Sequence, residues 1–184
     1  MHGYLKKFFR AEKVAPLHRL DKEVAGPLIF VKNQKSFDLY KNLFVRHEIH
    51  REYRAIVHGS FVEKSGTYDS YLAEGNAYRM YETSSLEGKR AITHYEVIDQ
   101  NEDYSLIKLK LHTGRKNQIR VHLSSAGHAI IGDTKYGAEP VGGNAIALYA
   151  HHLEFTHPVS KKRMSFRNKP PFMFSRLLKK TGLN

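Results

Sequence analysis

The sequence contains no cysteine among its 184 residues. Disulfide bridges and thiolate metal sites are therefore excluded. It also lacks any apolar run approaching the roughly 20 residues that a bilayer-spanning helix needs. Its first residues show neither a long apolar segment nor a small-residue cleavage site, so no secretory signal is indicated. These absences predict a cytoplasmic protein that does not insert into a membrane.

Internal repeats, low-complexity tracts and linkers rich in proline or serine are absent as well. One domain over residues 1–184 is the simplest organisation. A domain of this length buries roughly 70% of the surface that its unfolded chain exposes. It can therefore be stable without disulfides or a structural metal.

Acidic residues are scarce relative to basic ones, with 18 Asp and Glu against 30 Lys and Arg, which gives a net charge of +12. This excess favours a polyanionic partner such as nucleic acid, because each neutralised phosphate releases condensed counterions. The alternative is a soluble protein whose surface is merely basic.

The 12 histidines raise the question of a metal site. His151 and His152 are adjacent, so on a strand they would point to opposite faces. No HExxH or similar ligand spacing is present. The sequence therefore predicts no bound metal.

Apolar periodicity predicts an α+β fold with a mostly antiparallel sheet flanked by helices, because strands arrive in neighbouring runs with helices between them. Helical spacing predicts helices within residues 1–12, 37–44, 119–126 and after Pro171. We expect the apolar side chains of the first helix to pack into the core. Alternation and short apolar runs predict strands within residues 28–31, 51–58, 92–98, 104–111, 145–155 and 162–166.

Two short segments contain charged residues in patterns that suit a catalytic or binding site. His18-Arg19-Leu20-Asp21, followed by Gly26, places a carboxylate beside an arginine, which keeps it ionised. The alternative is a surface aspartate in a loop or a helix cap. Arg51-Glu52-Tyr53-Arg54-Ala55 places a tyrosine between charges on a predicted strand, and the alternative there is half-buried packing.

Two glycine-containing segments follow later in the chain. In residues 113–122, TGRKNQIRVH, Gly114 permits a turn that puts basic side chains at a helix N-terminus, where anions bind. Arg115 and Arg120 would then bind phosphate, or one of them would pair with a carboxylate; the alternative is a solvated basic helix start. Residues 127–137, GHAIIGDTKYG, are predicted as a strand followed by a loop with a structural role.

Taken in order, HRLD with Gly26, the strand tyrosine and TGR…QIRVHLSSAGHAIIGDTKYG resemble the RluA-type pseudouridine synthase family. The resemblance covers about residues 14–170, and the combination is far more specific than each piece alone. It implies the pseudouridine synthase fold and an enzyme that isomerises specific uridines to pseudouridine in structured RNA, either ribosomal or transfer RNA. It also implies that no cofactor takes part, since uracil can depart as a delocalised anion.

The resemblance also implies roles for individual residues. The HRLD aspartate is the essential catalytic residue, the strand tyrosine lies in the active site, and the second arginine of TGR…QIR pairs with the aspartate. The HRLD arginine helps displace the target base from the RNA stack, and the basic residues before the helix are expected to contact RNA. The catalytic residues are thus Asp21, Tyr53 and Arg120, and the RNA-binding residues are Arg19, Arg115 and Lys116.

The sequence departs from the family pattern in three places. Val24 and Ala25 stand where Thr-Ser usually precedes the glycine, and Asn117 stands where histidine is common. The strands with a Lys-Pro-x-Gly motif that normally precede HRLD are not found, which suggests an N-terminally truncated or divergent member. An S4-type RNA-binding domain is also not found. A monomer is expected.

Two functions remain as alternatives at this stage. One is the isomerase, and the other is a non-catalytic RNA-binding module that uses the same basic face. The presence of Asp21, Tyr53 and Arg120 together favours the enzyme, because a pure RNA binder needs none of them in register. A DNA-binding domain has no recognition motif to support it.

Overall fold

The computed structural model describes residues 2–9, 14–142 and 145–184. It contains four α-helices and nine strands within these ranges. The helices are α1 (His2–Phe9), α2 (Gln34–Val45), α3 (Gln118–Ser125) and α4 (Phe172–Thr181). The strands are β1 (Ala15–Pro16), β2 (Phe30–Val31), β3 (His50–His58), β4 (Ser65–Glu74), β5 (Met80–Thr83), β6 (Lys89–Gln100), β7 (Tyr104–Leu111), β8 (Leu148–Thr156) and β9 (Arg163–Arg167).

Seven strands form one sheet in the order β5-β4-β6-β7-β3-β8-β9, and β1 and β2 form a separate two-stranded ribbon. Every neighbouring pair of named strands is antiparallel. The prediction of an α+β fold with a mostly antiparallel sheet is confirmed.

Strand β3 is the most deeply buried part of the sheet, because both of its neighbours, β7 and β8, are long. Ala55, Ile56 and Val57 have no solvent exposure. Consecutive side chains on a strand point to opposite faces, so both faces of the sheet are covered at this point. This explains why the strand has a continuous apolar run where a half-exposed strand would alternate.

The two faces carry different elements. Ala150 on β8 is the register partner of Tyr53, and Gly26 packs directly on it. The loop before Gly26 therefore lies on the Tyr53 face. Tyr149 points to the opposite face, and the ring of Phe174 on α4 packs against it with centroids 4.7 Å apart. The architecture is thus a sheet with α4 on one face and the 17–29 loop on the other.

Helix α3 joins the loop on the Tyr53 face. Its residues Ile119 and Leu123 belong to the main core, while Val121 belongs to a smaller apolar cluster that includes residues of β4, β5 and β6. That smaller cluster consists of Leu72, Met80, Ala91, Val121 and Tyr136. Helix α3 is therefore fixed by the centre of the sheet and by the outer β4–β5 hairpin.

Several local predictions differ from the structure. Strands β4 and β5 were not predicted, since Leu72 is the only fully buried residue of β4. The prediction of a strand at the start of residues 127–137 is wrong. This segment forms only one isolated bridge, between Ile130 and Val57, and no continuous strand. The core packing expected for the first helix is also wrong for Phe8 and Phe9, whose exposed fractions are 65% and 46%. The end of that predicted helix, residues 10–12, lies outside the described residues.

Within the described ranges, each helix is too short or too polar to cross a bilayer.

Burial of His122 on α3 makes the stability of the fold depend on pH. Its side chain is 1% exposed and contacts the hydroxyls of Thr93 at 2.9 Å and Ser70 at 3.1 Å. Burial penalises the imidazolium and lowers the pKa of His122 to about 4, compared with about 6.5 in an unfolded chain. The unfolded state therefore binds more protons between these values. The stabilising contribution is complete above about pH 6.5 and is lost as the pH falls towards 4.

We expect the unfolding free energy to fall over this pH range, with His122 contributing at most about 3 kcal/mol. His122→Asn keeps hydrogen-bonding groups but does not titrate, so its urea-unfolding free energy should change less between pH 6.5 and 4. His18, whose pKa burial also lowers to about 4, contributes to the remaining pH dependence, as do His112 and His151, whose pKa values desolvation lowers. Exposed His50→Ala is the control and should follow the wild type. Identical pH slopes for His122→Asn and the wild type would contradict this account.

Candidate active site

A cavity of about 620 Å³ opens between the 17–24 loop, the start of β3, the end of β7 and the start of α3. Five of the six residues predicted to be functional line it: Arg19, Asp21, Tyr53, Arg115 and Lys116. Arg120 lies behind the wall, with its side chain 5% exposed. Residues far apart in the sequence are thus brought to one place.

Asp21 is carried by a loop that is pinned to β8. Its carbonyl accepts a hydrogen bond from the Val24 N–H at 3.0 Å, which closes a turn, and Ala150 N–H donates to the Ala25 carbonyl at 2.8 Å. At Gly26, φ is +151° and a Cβ would lie 2.4 Å from the Ala150 Cβ. Only glycine allows this approach. The glycine that follows HRLD therefore sets the distance between the Asp21 loop and the sheet.

Tyr53 follows an irregularity in the sheet. The register between β3 and β8 shifts between Glu52 and Tyr53, which leaves His151 as an extra residue. Bulges of this kind re-aim side chains and are frequent beside active sites. Tyr53 is 7% exposed, and burial raises its pKa, so the hydroxyl stays protonated at neutral pH. The cavity wall here is an aromatic ring that carries a hydrogen-bond donor.

Arg120 is shared among three carboxylates. It donates to both oxygens of Asp133, from Nε at 2.7 Å and from a terminal nitrogen at 2.6 Å. Its other terminal nitrogen lies 3.2 Å from Glu23 Oε2 and 3.7 Å from Asp21 Oδ2. The expected pairing with Asp21 is present as an ion-pair contact. The two-point partner of Arg120, however, is the fully buried Asp133, which was predicted only as part of a structural loop.

Asn117 makes the shortest contact with Asp21, since its Nδ2 donates to Asp21 Oδ2 at 2.7 Å. Its Oδ1 accepts from the Tyr136 hydroxyl at 3.2 Å, and that hydroxyl accepts from Met80 N–H at 3.2 Å. Asn117 precedes α3 with φ of +51° and gives the helix no side-chain cap. The left-handed backbone, which asparagine tolerates better than most residues, directs the amide to Asp21 instead.

The carboxylate of Asp21 is therefore held at one oxygen and open at the other. Oδ2 accepts from Asn117 and faces Arg120, while Oδ1 makes no hydrogen bond within the described part of the chain. The side chain is 19% exposed to the cavity. The arrangement presents one oxygen of an aimed carboxylate to a ligand. The sequence had indicated Asn117 only as a departure from the family pattern, and its position directly before QIR was the available signal.

The predicted RNA-binding residues differ in whether their charged groups already form ion pairs or hydrogen bonds within the protein. Lys116 forms an ion pair with Glu74, and its Nζ lies 5.2 Å from the Tyr78 ring centroid. Arg19 and Arg115 are exposed, and neither has an ion-pair partner among the residues that the structure describes. The Nε–H of Arg115 donates a hydrogen bond to the backbone carbonyl of Arg90 at 3.0 Å.

The charge of the cavity is positive. Among the described residues of its lining, Asp21 is the only carboxylate, whereas Arg19, Arg51, Arg115 and Lys116 are cations. The described residues contain no group of three histidine, aspartate or glutamate side chains placed to hold a metal ion. The site therefore combines one aimed carboxylate with surroundings that attract a polyanion.

The fold is known from solved structures of other proteins. The human RNA pseudouridylate synthase domain containing 4 matches with a TM-score of 0.83 over 98% of this chain and 82% of that chain, at 24% identity. Human RNA pseudouridylate synthase domain containing 1 matches with a TM-score of 0.77 over 93% of this chain and 74% of that chain, at 23% identity. At these identities the likeness concerns the fold.

The family is identified from sequence. Residues 3–125 match the family model described as RNA pseudouridylate synthase. The chain is 39% identical over 166 residues to ribosomal large subunit pseudouridine synthase D of Zymomonas mobilis, covering 84% of this chain and 52% of that protein. It is 33% identical over 169 residues to the uncharacterized RNA pseudouridine synthase YlyB of Bacillus subtilis, covering 91% and 56%. The chain belongs to the RNA pseudouridylate synthase family, and it spans about half the length of these curated relatives.

The buried pair of Arg120 and Asp133 leads to a prediction about stability. Asp133→Asn replaces one acceptor oxygen by an amide that faces a guanidinium, and removing one partner of a buried ion pair costs about 3–5 kcal/mol. Urea unfolding at neutral pH measures the loss.

The matched control is Asp69→Asn. Asp69 also binds an arginine through both oxygens, with Arg90 at 2.9 and 2.6 Å, but this pair is exposed. Exposed pairs contribute about 0–1 kcal/mol. An equally small loss for both variants would show that Arg120 does not depend on Asp133.

Proposed function

We propose that this chain isomerises specific uridines of structured RNA to pseudouridine, with Asp21 as the catalytic carboxylate. The observation that carries the proposal is the open oxygen of Asp21 in a basic cavity, beside the buried Tyr53. Family membership supports the reaction type.

The reaction breaks the bond between ribose C1′ and uracil N1, and the bonding electrons leave with the base. The base turns and C5 bonds to C1′; the proton of C5 is then lost and N1 regains a proton. The sugar becomes electron-poor at C1′, as it does in glycoside cleavage. A carboxylate at this place can add to C1′, stabilise the cation or take a proton from the neighbouring carbon. All three routes need the free oxygen of Asp21.

The neighbours of Asp21 have supporting roles in this proposal. Arg120 and Asn117 hold one oxygen of the carboxylate. Tyr53 supplies a ring on which the uracil can stack. Because a stacked and paired uridine hides its glycosidic bond, the base must be flipped into the cavity. In this proposal Arg19, an exposed residue of the cavity lining, fills the space that the base leaves.

The proposed substrate is ribosomal or transfer RNA. The name of the Zymomonas mobilis relative, which refers to the ribosomal large subunit, makes ribosomal RNA the first substrate to test. We propose that the protein acts as a monomer in the cytoplasm. We also propose that it needs no cofactor, because the chemistry requires only a carboxylate and proton transfers.

Replacement of the carboxylate tests the catalytic role. Asp21→Asn should abolish isomerisation, since an amide can neither add to C1′ nor accept a proton, while RNA affinity should change little. The assay is tritium release from ribosomal RNA labelled at uridine C5. Glu23→Gln removes a neighbouring carboxylate that also contacts Arg120, and this variant should retain measurable turnover. Substantial turnover by Asp21→Asn would remove Asp21 from its role, and an inactive wild type that still binds RNA would favour the binding module.

Salt dependence tests whether the cavity face is the RNA face. Four cations line the cavity. If each neutralises one phosphate, the slope of log affinity against log salt is about −3 for single-stranded RNA. Arg19→Ala should make this slope shallower by about one unit. Lys180→Ala, on α4 at the opposite face of the sheet, should leave it unchanged. A slope near zero, or equal effects of the two variants, would place the RNA elsewhere.

A further inference from the structure

His47 occupies a backbone position that normally belongs to glycine. Helix α2 ends with Arg46 as its cap, and two hydrogen bonds close it, from His47 N–H to the carbonyl of residue 44 at 3.2 Å and from Glu48 N–H to that of residue 43 at 2.9 Å. This is the Schellman pattern, whose left-handed residue is usually glycine. His47 has φ of +57°, so an imidazole is kept there despite backbone strain. Strain of this kind concentrates at functional positions.

The ring of His47 is fixed against a second histidine. Its Nδ1–H donates to the His112 carbonyl at 2.7 Å, and the two imidazoles stack with centroids 4.1 Å apart and an interplanar angle of 11°. Both side chains are exposed, and both line the cavity that contains Asp21. Desolvation and the neighbouring His47 lower the pKa of His112, which disfavours a positive charge on the stacked pair. The pair offers a flat, rigid aromatic surface inside the cavity.

Arg51 lies on the same wall and lacks an anion. Its guanidinium sits 5.5 Å from the Phe44 ring centroid and donates to the Thr113 carbonyl at 3.2 Å. A Cβ on Gly114 would lie 2.7 Å from one of its terminal nitrogens, so glycine makes room for it. Its Nε–H is buried without an acceptor, and no carboxylate lies within ion-pair distance of Arg51 among the described residues. A partly buried cation in this state favours an anionic ligand.

We propose that His47, His112 and Arg51 form a second nucleotide subsite, which binds the RNA nucleotide next to the target uridine. Its base stacks on the imidazole pair and its phosphodiester contacts Arg51. The subsite rests on the proposed function, since it needs an RNA whose target uridine reaches Asp21. Stacking is tolerant of base identity, so the subsite selects a splayed neighbouring base, with a preference for the larger purine ring.

The test measures RNA binding by the full chain with fluorescein-labelled, single-stranded RNA oligonucleotides. One carries a single uridine between adenosines, and two others carry an abasic ribose on one or the other side of that uridine. The wild type should bind one abasic RNA about tenfold more weakly, the loss expected for one stacked base. His47→Gly should bind the intact RNA about tenfold more weakly and should no longer distinguish the abasic one. Arg51→Gln should weaken all three RNAs by a similar factor.

His47→Gly is suited to this test because glycine is the preferred residue at its backbone position. Its melting temperature should equal or exceed that of the wild type, which separates lost binding from lost folding. His50→Ala removes an exposed histidine outside the cavity, and Ala77→Gly relieves another left-handed residue, with φ of +54°. Both controls should bind like the wild type.

Failure of this inference can be told apart from failure of the proposed function. The subsite would be overturned if His47→Gly bound the RNAs with the affinity and discrimination of the wild type, or if the wild type bound all three RNAs equally. Continued tritium release by the wild type would then leave the proposed function intact. A wild type that binds none of the RNAs and forms no pseudouridine would overturn both proposals.

Discussion

The buried charge of Arg120 is the constraint on which the rest of the site depends. A guanidinium that is 5% exposed must have anionic partners, because an unpaired buried charge is costly. Asp133 accepts hydrogen bonds from Arg120 at both of its oxygens. Arg120 is therefore neutralised without binding both oxygens of Asp21. Asp21 therefore stays within the field of the cation at 3.7 Å and keeps one oxygen free. Structural and proposed catalytic duties are divided between two carboxylates.

The position of Asp21 depends in turn on a part of the sheet far from it. The Met80 N–H at the start of β5 donates to the Tyr136 hydroxyl, which donates to Asn117, which donates to Asp21. The same β4–β5 hairpin packs against Val121 on α3 through the smaller apolar cluster. An outer hairpin with little buried surface of its own therefore orients the carboxylate through one chain of donors. Cooperative chains of this kind are more rigid than their separate bonds suggest.

The sequence predicted those features that have a local signal. Strands β3, β6 and β7 were predicted because their apolar residues alternate or form short runs. Strand β4 was not, because its pairing with β6 and β5 is non-local and it buries little beyond Leu72. The resemblance to the family, which rests on the order of the motifs, predicted that Asp21 and Tyr53 lie in one site, and both line the cavity. The contact of Arg120 with Asp133 was missed because a loop, rather than helix or strand spacing, brings that aspartate back to α3.

The cavity also shows how charge can orient a nucleotide. Asp21 repels phosphates, while Arg19, Arg51 and Arg115 attract them, so an RNA backbone is favoured along the rim and disfavoured at the carboxylate. In the proposed function, a ribose whose phosphates follow these cations would turn its C1′ towards Asp21, the only carboxylate among the described residues of the lining. Among the described residues that line the cavity, Asn117 and His47 are the two non-glycine residues with a left-handed backbone. One aims the carboxylate and the other the aromatic surface. Local backbone strain is thus found where the proposed reaction needs fixed geometry.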